Sequence, residues 1–132
     1  MMDKEVDFGA LYQLARSVVN PRKLSEEAEA GGVGAAILTT AGHTYTGVCI
    51  DTACSMGFCA EHAAAAVMIT AGENQIARVI AVGWDGRIMP PCGRCREFLS
   101  QLHAENGDAE VMVAADKVVK LRDLLPYDWR AE

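Results

Sequence analysis

Apolar positions along the chain switch between two periods. Over residues 6–19, Leu11, Leu14, Ala15 and Val18 recur at helical spacing and predict an amphipathic helix. Asn20-Pro21 ends it, because the residue before a proline avoids the helical region. Residues 25–30 are acidic and read as a loop or a short helical turn. Gly31-Gly32 then opens an apolar run over 33–39, Ala41-Gly42 makes a turn, and residues 43–50 alternate as a strand does, which predicts a hairpin. Residues 51–57 read as a loop. Residues 59–71 are rich in alanine and predict a helix that Gly72 can cap. Arg78-Val79-Ile80-Ala81-Val82-Gly83-Trp84 suits a buried strand, and Asp85-Gly86 a turn. Pro90-Pro91 leads into a helix over 92–103 with Phe98, Leu99 and Leu102 on its apolar side. Residues 110–114 and 118–121 read as two further strands. Leu124-Leu125-Pro126 closes the body, and Tyr127 and Trp129 lie in a short tail. Strands alternate with helices after the first hairpin, which predicts an α/β domain with helices on both faces of one sheet.

Length and charge narrow the function. The 132 residues suit a single domain, and 51% hydrophobic against 23% charged residues argues against disorder. Twelve Lys and Arg against eighteen Asp and Glu give a net charge of −6, so a polynucleotide is not the expected partner, while a small nucleoside remains compatible. The longest wholly apolar run, 63–69, is seven residues, against about 20 for a membrane span. The acidic start, Met1-Met2-Asp3-Lys4-Glu5, lacks the apolar stretch of a signal peptide, so the expected location is cytoplasmic. Five cysteines do not suggest a disulfide framework, and clustered cysteines in a reducing compartment point to metal or catalytic roles.

The chemistry concentrates in two motifs. Cys59-Ala60-Glu61 opens the alanine-rich helix and Pro91-Cys92-Gly93-Arg94-Cys95 opens the next. A helix N-terminus favours thiolate over thiol. A strand between the two helices can bring both starts to the same sheet edge. Three thiolates leave a tetrahedral zinc one position short, which is the catalytic rather than the structural form of a zinc site. Their charge sums with Zn²⁺ to −1, and Arg94 or Arg96 could offset it. Glu61, two residues after a ligand, can shuttle a proton at the open position, and burial there should raise its pKa. A plainer alternative is a structural zinc site or a set of buried thiols in a non-catalytic binding module. His62 is expected to point away from the site, and His43 and His103 to be surface residues. Met56, Met68, Met89 and Met112 are expected in the core or the pocket lining. The Tyr127 and Trp129 tail could pack on the body or cover a neighbouring subunit's pocket.

Together, Gly57-Phe58-Cys59-Ala60-Glu61 and Pro90-Pro91-Cys92-Gly93-Arg94-Cys95-Arg96 carry the signature of zinc deaminases in its three-cysteine form. Over residues 33–129 the chain resembles the cytidine deaminase superfamily, particularly the small cytidine deaminases and blasticidin-S deaminases. The resemblance implies a three-layer α/β/α fold with a five-stranded mixed sheet and one Zn²⁺ per subunit. By position, Cys59, Cys92 and Cys95 match the zinc ligands and Glu61 the proton shuttle. It implies attack of zinc-bound hydroxide on C4 of a cytosine nucleoside, release of ammonia, a backbone contact from Ala60 to the ring, and a homotetramer. Two positions depart from the cytidine deaminase pattern. Cys49-Ile50-Asp51 stands where an Asn-x-Glu holds the sugar, and Gly32-Val33-Gly34 lacks the aromatic residue that lines the base pocket. Asp51 still accepts a hydroxyl hydrogen bond, whereas Cys49 is a poor substitute for an amide. Arg94-Cys95-Arg96, Leu102-His103 and Leu124-Leu125-Pro126-Tyr127 are similar to the blasticidin branch, which leaves a modified cytosine nucleoside or another aminopyrimidine as the alternative substrate.

Overall fold

The apolar run at 33–39 lies at the centre of the molecule. In a computed structural model, whose described residues are 6–130, it forms most of a twelve-residue strand. The acidic start at residues 1–5 lies outside the described residues. The long strand, β2 (Ala28–Thr39), pairs antiparallel with β3 (Thr44–Thr52) and with β4 (Ile76–Gly83). β5 (Glu110–Ala114) runs parallel to β4, and β6 (Lys117–Lys120) turns back antiparallel on β5. A two-residue strand, β1 (Arg22–Lys23), pairs with the first residues of β2 and raises the sheet from the expected five strands to six. Two residues are too short for any periodicity to register, which is why the sequence pattern misses β1.

Alternation along β2 explains its continuous apolar composition. Ala36 and Leu38 face one side with Ile80 and Val82, where α1 (Phe8–Ser17) covers them with Leu11 and Ala15. Ala35 and Ile37 face the other side with Val79 and Ala81, under α2 (Ala60–Thr70) and α3 (Gly93–Gln101). A strand buried on both faces carries no polar side to its pattern. The result is the expected three-layer α/β/α arrangement. Asp7 starts α1 by accepting a hydrogen bond from the Ala10 N–H at 2.9 Å.

The acidic stretch at 25–30, expected as a loop, is recruited into the sheet from Ala28 onward. Backbone pairing to both β1 and β3 captures it, with a register shift between Ala30 and Gly34. Gly31 sits in that shift at φ 89°, where a Cβ would lie 2.0 Å from the Asn20 carbonyl oxygen. Similarly, β3 continues to Thr52, two residues beyond the expected hairpin arm, before a short 3₁₀ turn at Ala53–Ser55.

Two contacts fix the helices that matter for the site. α2 lies backbone to backbone on β3: a Cβ on Gly47 would stand 2.4 Å from the Ala64 nitrogen and 2.6 Å from the Ala63 Cβ. Alanine in α2 and glycine in β3 are therefore one steric requirement. The buried Asn106 ties the end of α3 to the start of β4. Its Oδ1 accepts from the Ile76 N–H at 2.9 Å, and its Nδ2 donates to the Leu99 carbonyl at 2.9 Å. Among the described residues no helix is long and apolar enough to cross a membrane.

The Gly47 contact makes a prediction. Gly47→Ala should force α2 outward and lower stability by about 1–3 kcal/mol, the usual cost of overpacking. A urea midpoint unchanged from the wild type would show that the two backbones can separate at no cost.

Candidate metal centre and pocket

Both ligand-bearing motifs sit where a helix begins. Cys59 is the N-cap of α2 and Cys92 the N-cap of α3, each in extended backbone conformation. Their sulfurs lie 3.4 Å apart. Cys95, in the first turn of α3, brings a third sulfur 3.5 Å from that of Cys92. All three lie within 4.8 Å of one another. Thiolates bound to one tetrahedral zinc at about 2.3 Å would sit about 3.8 Å apart, so the spacing fits such an ion. Three soft sulfur donors also suit zinc chemically.

Protonation in the bare cluster is unequal. Burial, then the hydrogen bond with Cys92, pushes the Cys59 thiol up to about 11. Burial and the nearby Glu61 charge push Cys95 higher still. Cys92 goes the other way. Burial opposes its ionisation, but the backbone N–H of Cys95 and hydrogen bonding from the neighbouring thiols hold it below the ordinary cysteine value. A divalent cation is the agent that could ionise all three.

Glu61 lies beside this cluster, one residue into α2 and only 5% exposed. Its Oε1 is 3.6 Å from the Cys95 sulfur, and burial holds its carboxyl above the usual carboxylate range. A pocket of about 590 Å³ opens over the cluster. Cys49, Asp51 and Ala60 all line it, together with Glu61, Cys59 and Cys92. Ala60 holds the first helical position of α2, where the N–H has no intrahelical acceptor. The Cys49 sulfur is engaged by the Val33 N–H at 3.3 Å. The pattern of motifs did not single out Thr52 or Ser55, which also line the wall. Ser55 and its neighbour Cys54 adopt left-handed backbone angles, φ 57° and 63°.

Arg94 donates to the Gly57 carbonyl at 3.3 Å, and Arg96 to the carbonyls of Pro91 and Leu124. Two expectations change. His62 does not point away but places Nδ1 3.3 Å from the Cys95 sulfur. Met56 is neither core nor lining, being 75% exposed, whereas Met68 is buried and Met89 lines the pocket. His43 and His103 are surface residues, paired with Glu73 and the Glu105 N–H. Trp129 stays largely exposed, its Nε1 donating to Glu97 of α3 at 3.0 Å, and Tyr127 is fully exposed.

No family model matches the chain. The cytidine deaminase of Mycobacterium tuberculosis is 33% identical over 98 residues, which cover 71% of this chain and 69% of that protein. This chain belongs to the cytidine deaminase family. A probable cytidine deaminase of Dictyostelium discoideum is 34% identical over 82 residues, 61% of this chain and 53% of its own length. Among solved structures, the M. tuberculosis cytidine deaminase superposes with a TM-score of 0.77 at 26% identity, over 92% of this chain and 96% of that one. The Burkholderia pseudomallei cytidine deaminase gives a TM-score of 0.73 at 26% identity, over 92% and 98%. The chain is thus an enzyme of the hydrolytic deaminase class, and its fold is the cytidine deaminase fold with β1 added to the expected strands.

The unequal thiols are testable in the metal-free chain. Brief iodoacetamide treatment followed by peptide mapping should label Cys92 first of the three, because it is exposed and ionises most readily, and Cys95 last. Labelling of Cys95 as fast as Cys92 would contradict this order.

Proposed function

We propose that this chain hydrolytically deaminates a cytosine-type nucleoside, cytidine or deoxycytidine, to the uracil nucleoside and ammonia. The observation that carries the reading is the buried Glu61 carboxyl set against three converging sulfurs at the floor of the pocket. Cys59, Cys92 and Cys95 would hold one Zn²⁺ per subunit. When bound, zinc supplies Lewis-acid chemistry that brings the pKa of water toward neutrality.

The remaining work falls to the chain's own side chains. Glu61 takes one proton from the attacking water and passes it to the ring nitrogen, then carries the second proton of that water to the amine, which departs as ammonia. A carboxyl raised by burial is suited to this, because it can hold the proton between the two transfers. The Ala60 N–H, at the helix start, is placed to hold the ring by its carbonyl oxygen. Asp51, on the outer wall, accepts a hydrogen bond from a sugar hydroxyl.

A second reading concerns the substrate rather than the chemistry. The Cys49 sulfur is occupied by the Val33 N–H, and the outer wall is built from Asp51, Thr52, Ser55 and Arg94. That wall favours a modified cytosine nucleoside, as in blasticidin-S deaminases, or another aminopyrimidine. A non-catalytic zinc module is the weaker reading, because only three sulfurs converge, His62 is outside that cluster, and Cys59, Cys92 and Glu61 line the pocket.

We also propose a cytoplasmic homotetramer. α2 is almost wholly apolar, and its Val67 and Ile69 remain 48% and 45% exposed in the single chain. A helix apolar all round is normally buried. Sedimentation at micromolar concentration should give about four times 14.1 kDa, and a mass near that of one chain would reject the assembly.

The catalytic claim is tested with Glu61→Gln. The variant should fold and bind zinc like the wild type, while ammonia release from the best of cytidine, deoxycytidine and blasticidin S falls about 10²- to 10⁴-fold. Loss of zinc from this variant would make Glu61 structural and overturn the mechanism.

A further inference from the structure

The two ligand-bearing helices meet through a pair of rings. His62 stands three residues after Cys59 on α2, and Phe98 three residues after Cys95 on α3. The rings are stacked with centroids 4.1 Å apart and planes inclined by 13°. Within this stack the imidazole Nδ1 is 3.3 Å from the Cys95 sulfur.

Cys95 needs such a neighbour. Its side chain is fully buried, so water does not solvate its sulfur. Its other close polar groups are the Cys92 thiol at 3.5 Å, the Glu61 carboxyl at 3.6 Å and the Cys59 thiol, all acids that repel a thiolate once ionised. The arginines at 94 and 96 spend their hydrogen bonds on carbonyl oxygens. A thiolate can only accept, so a favourable contact requires hydrogen on Nδ1 of His62. Hydrogen bonds to a ligand atom orient it and tune the metal.

Resting on the reading of the three cysteines as metal ligands, we propose that His62 is a positioning residue for that centre. Its Nδ1–H donates to the Cys95 sulfur, and Phe98 clamps the ring in the orientation this requires. The same pair couples the start of α2 to the start of α3, so the two halves of the ligand set are held in mutual register. His62 is outside the set of three converging sulfurs.

Two substitutions separate the ring from its hydrogen. His62→Phe keeps an aromatic ring against Phe98 and removes the donor. His62→Asn keeps a side-chain N–H near the position of Nδ1 and removes the stack. Zinc-loaded full-length proteins are mixed with excess chelator, and zinc release is followed in time. His62→Phe should release zinc about 10- to 100-fold faster than the wild type, and His62→Asn should recover at least part of the difference. In the cobalt-substituted proteins, the sulfur-to-cobalt charge-transfer band should move to lower energy in His62→Phe, since a thiolate that loses a hydrogen bond gives up its electron more easily. A general packing defect would not move that band. Release within twofold of the wild type, with the band unmoved, would overturn the proposal. Imidazole scattering in the X-ray absorption spectrum of the wild-type zinc protein would also overturn it, by making His62 a ligand. A wild-type chain that binds no stoichiometric zinc would defeat the metal reading itself, an outcome separate from a failure of the His62 variants alone.

Discussion

Two helix starts held side by side are the constraint on which this site depends. Cys59 and Cys92 are 33 residues apart in the chain, yet their sulfurs are 3.4 Å apart. The sheet makes that approach possible. Residues between them run down α2, return through β4, and emerge at the start of α3 on the same face. The depth at which α2 sits is set by the absence of side chains at its contact with β3, where Gly47 meets Ala63 and Ala64. A larger residue at any of these positions would displace the helix start, and with it Cys59, Ala60 and Glu61 together.

Bringing three thiols and a carboxyl into one buried corner carries an electrostatic cost. In the bare chain two of the thiols are pushed up by burial, and only Cys92, served by backbone N–H groups, is held down. Glu61 is raised by the same burial. These shifts describe a site whose acidic groups cannot all ionise without a cation. The link between structure and chemistry is direct here. The burial that raises Cys59 and Cys95 is the burial that raises Glu61.

Much of this was legible in the sequence because the decisive groups are local to helix starts. The spacing of Leu11, Leu14 and Ala15 marks α1, the alanine run marks α2, and residues 110–114 match β5 to the residue. Two short motifs locate the sulfurs and Glu61. What was not legible depends on long-range pairing. β1 is two residues long, and the early part of β2 is acidic, so neither carries a strand pattern; partners impose both. His62 was misplaced by treating adjacency to Glu61 as opposition. One residue along a helix turns a side chain by only about 100°. A position three residues after the N-cap lies over the helix start, and the Cys59 to His62 spacing was the available signal.

The pocket divides along the same line. Its inner end comes from the two motifs and gathers a buried carboxyl, a helix-start N–H and a three-sulfur cluster. Its outer wall comes from the end of β3 and the turn that follows. There, Cys54 and Ser55 are held in left-handed backbone conformations that residues with a Cβ seldom adopt. Such backbone persists only where the surrounding structure over-determines it. The turn is pinned on both sides, by the Phe58 and Ile50 backbone pair and by the Arg94 bond to Gly57. Arg94 therefore connects the motif that supplies two sulfurs to the loop that shapes the outer wall. A change in that loop can alter which nucleoside fits while leaving the sulfur positions untouched. That separation explains how Cys49 and Asp51 can depart from the family pattern beside an intact catalytic floor.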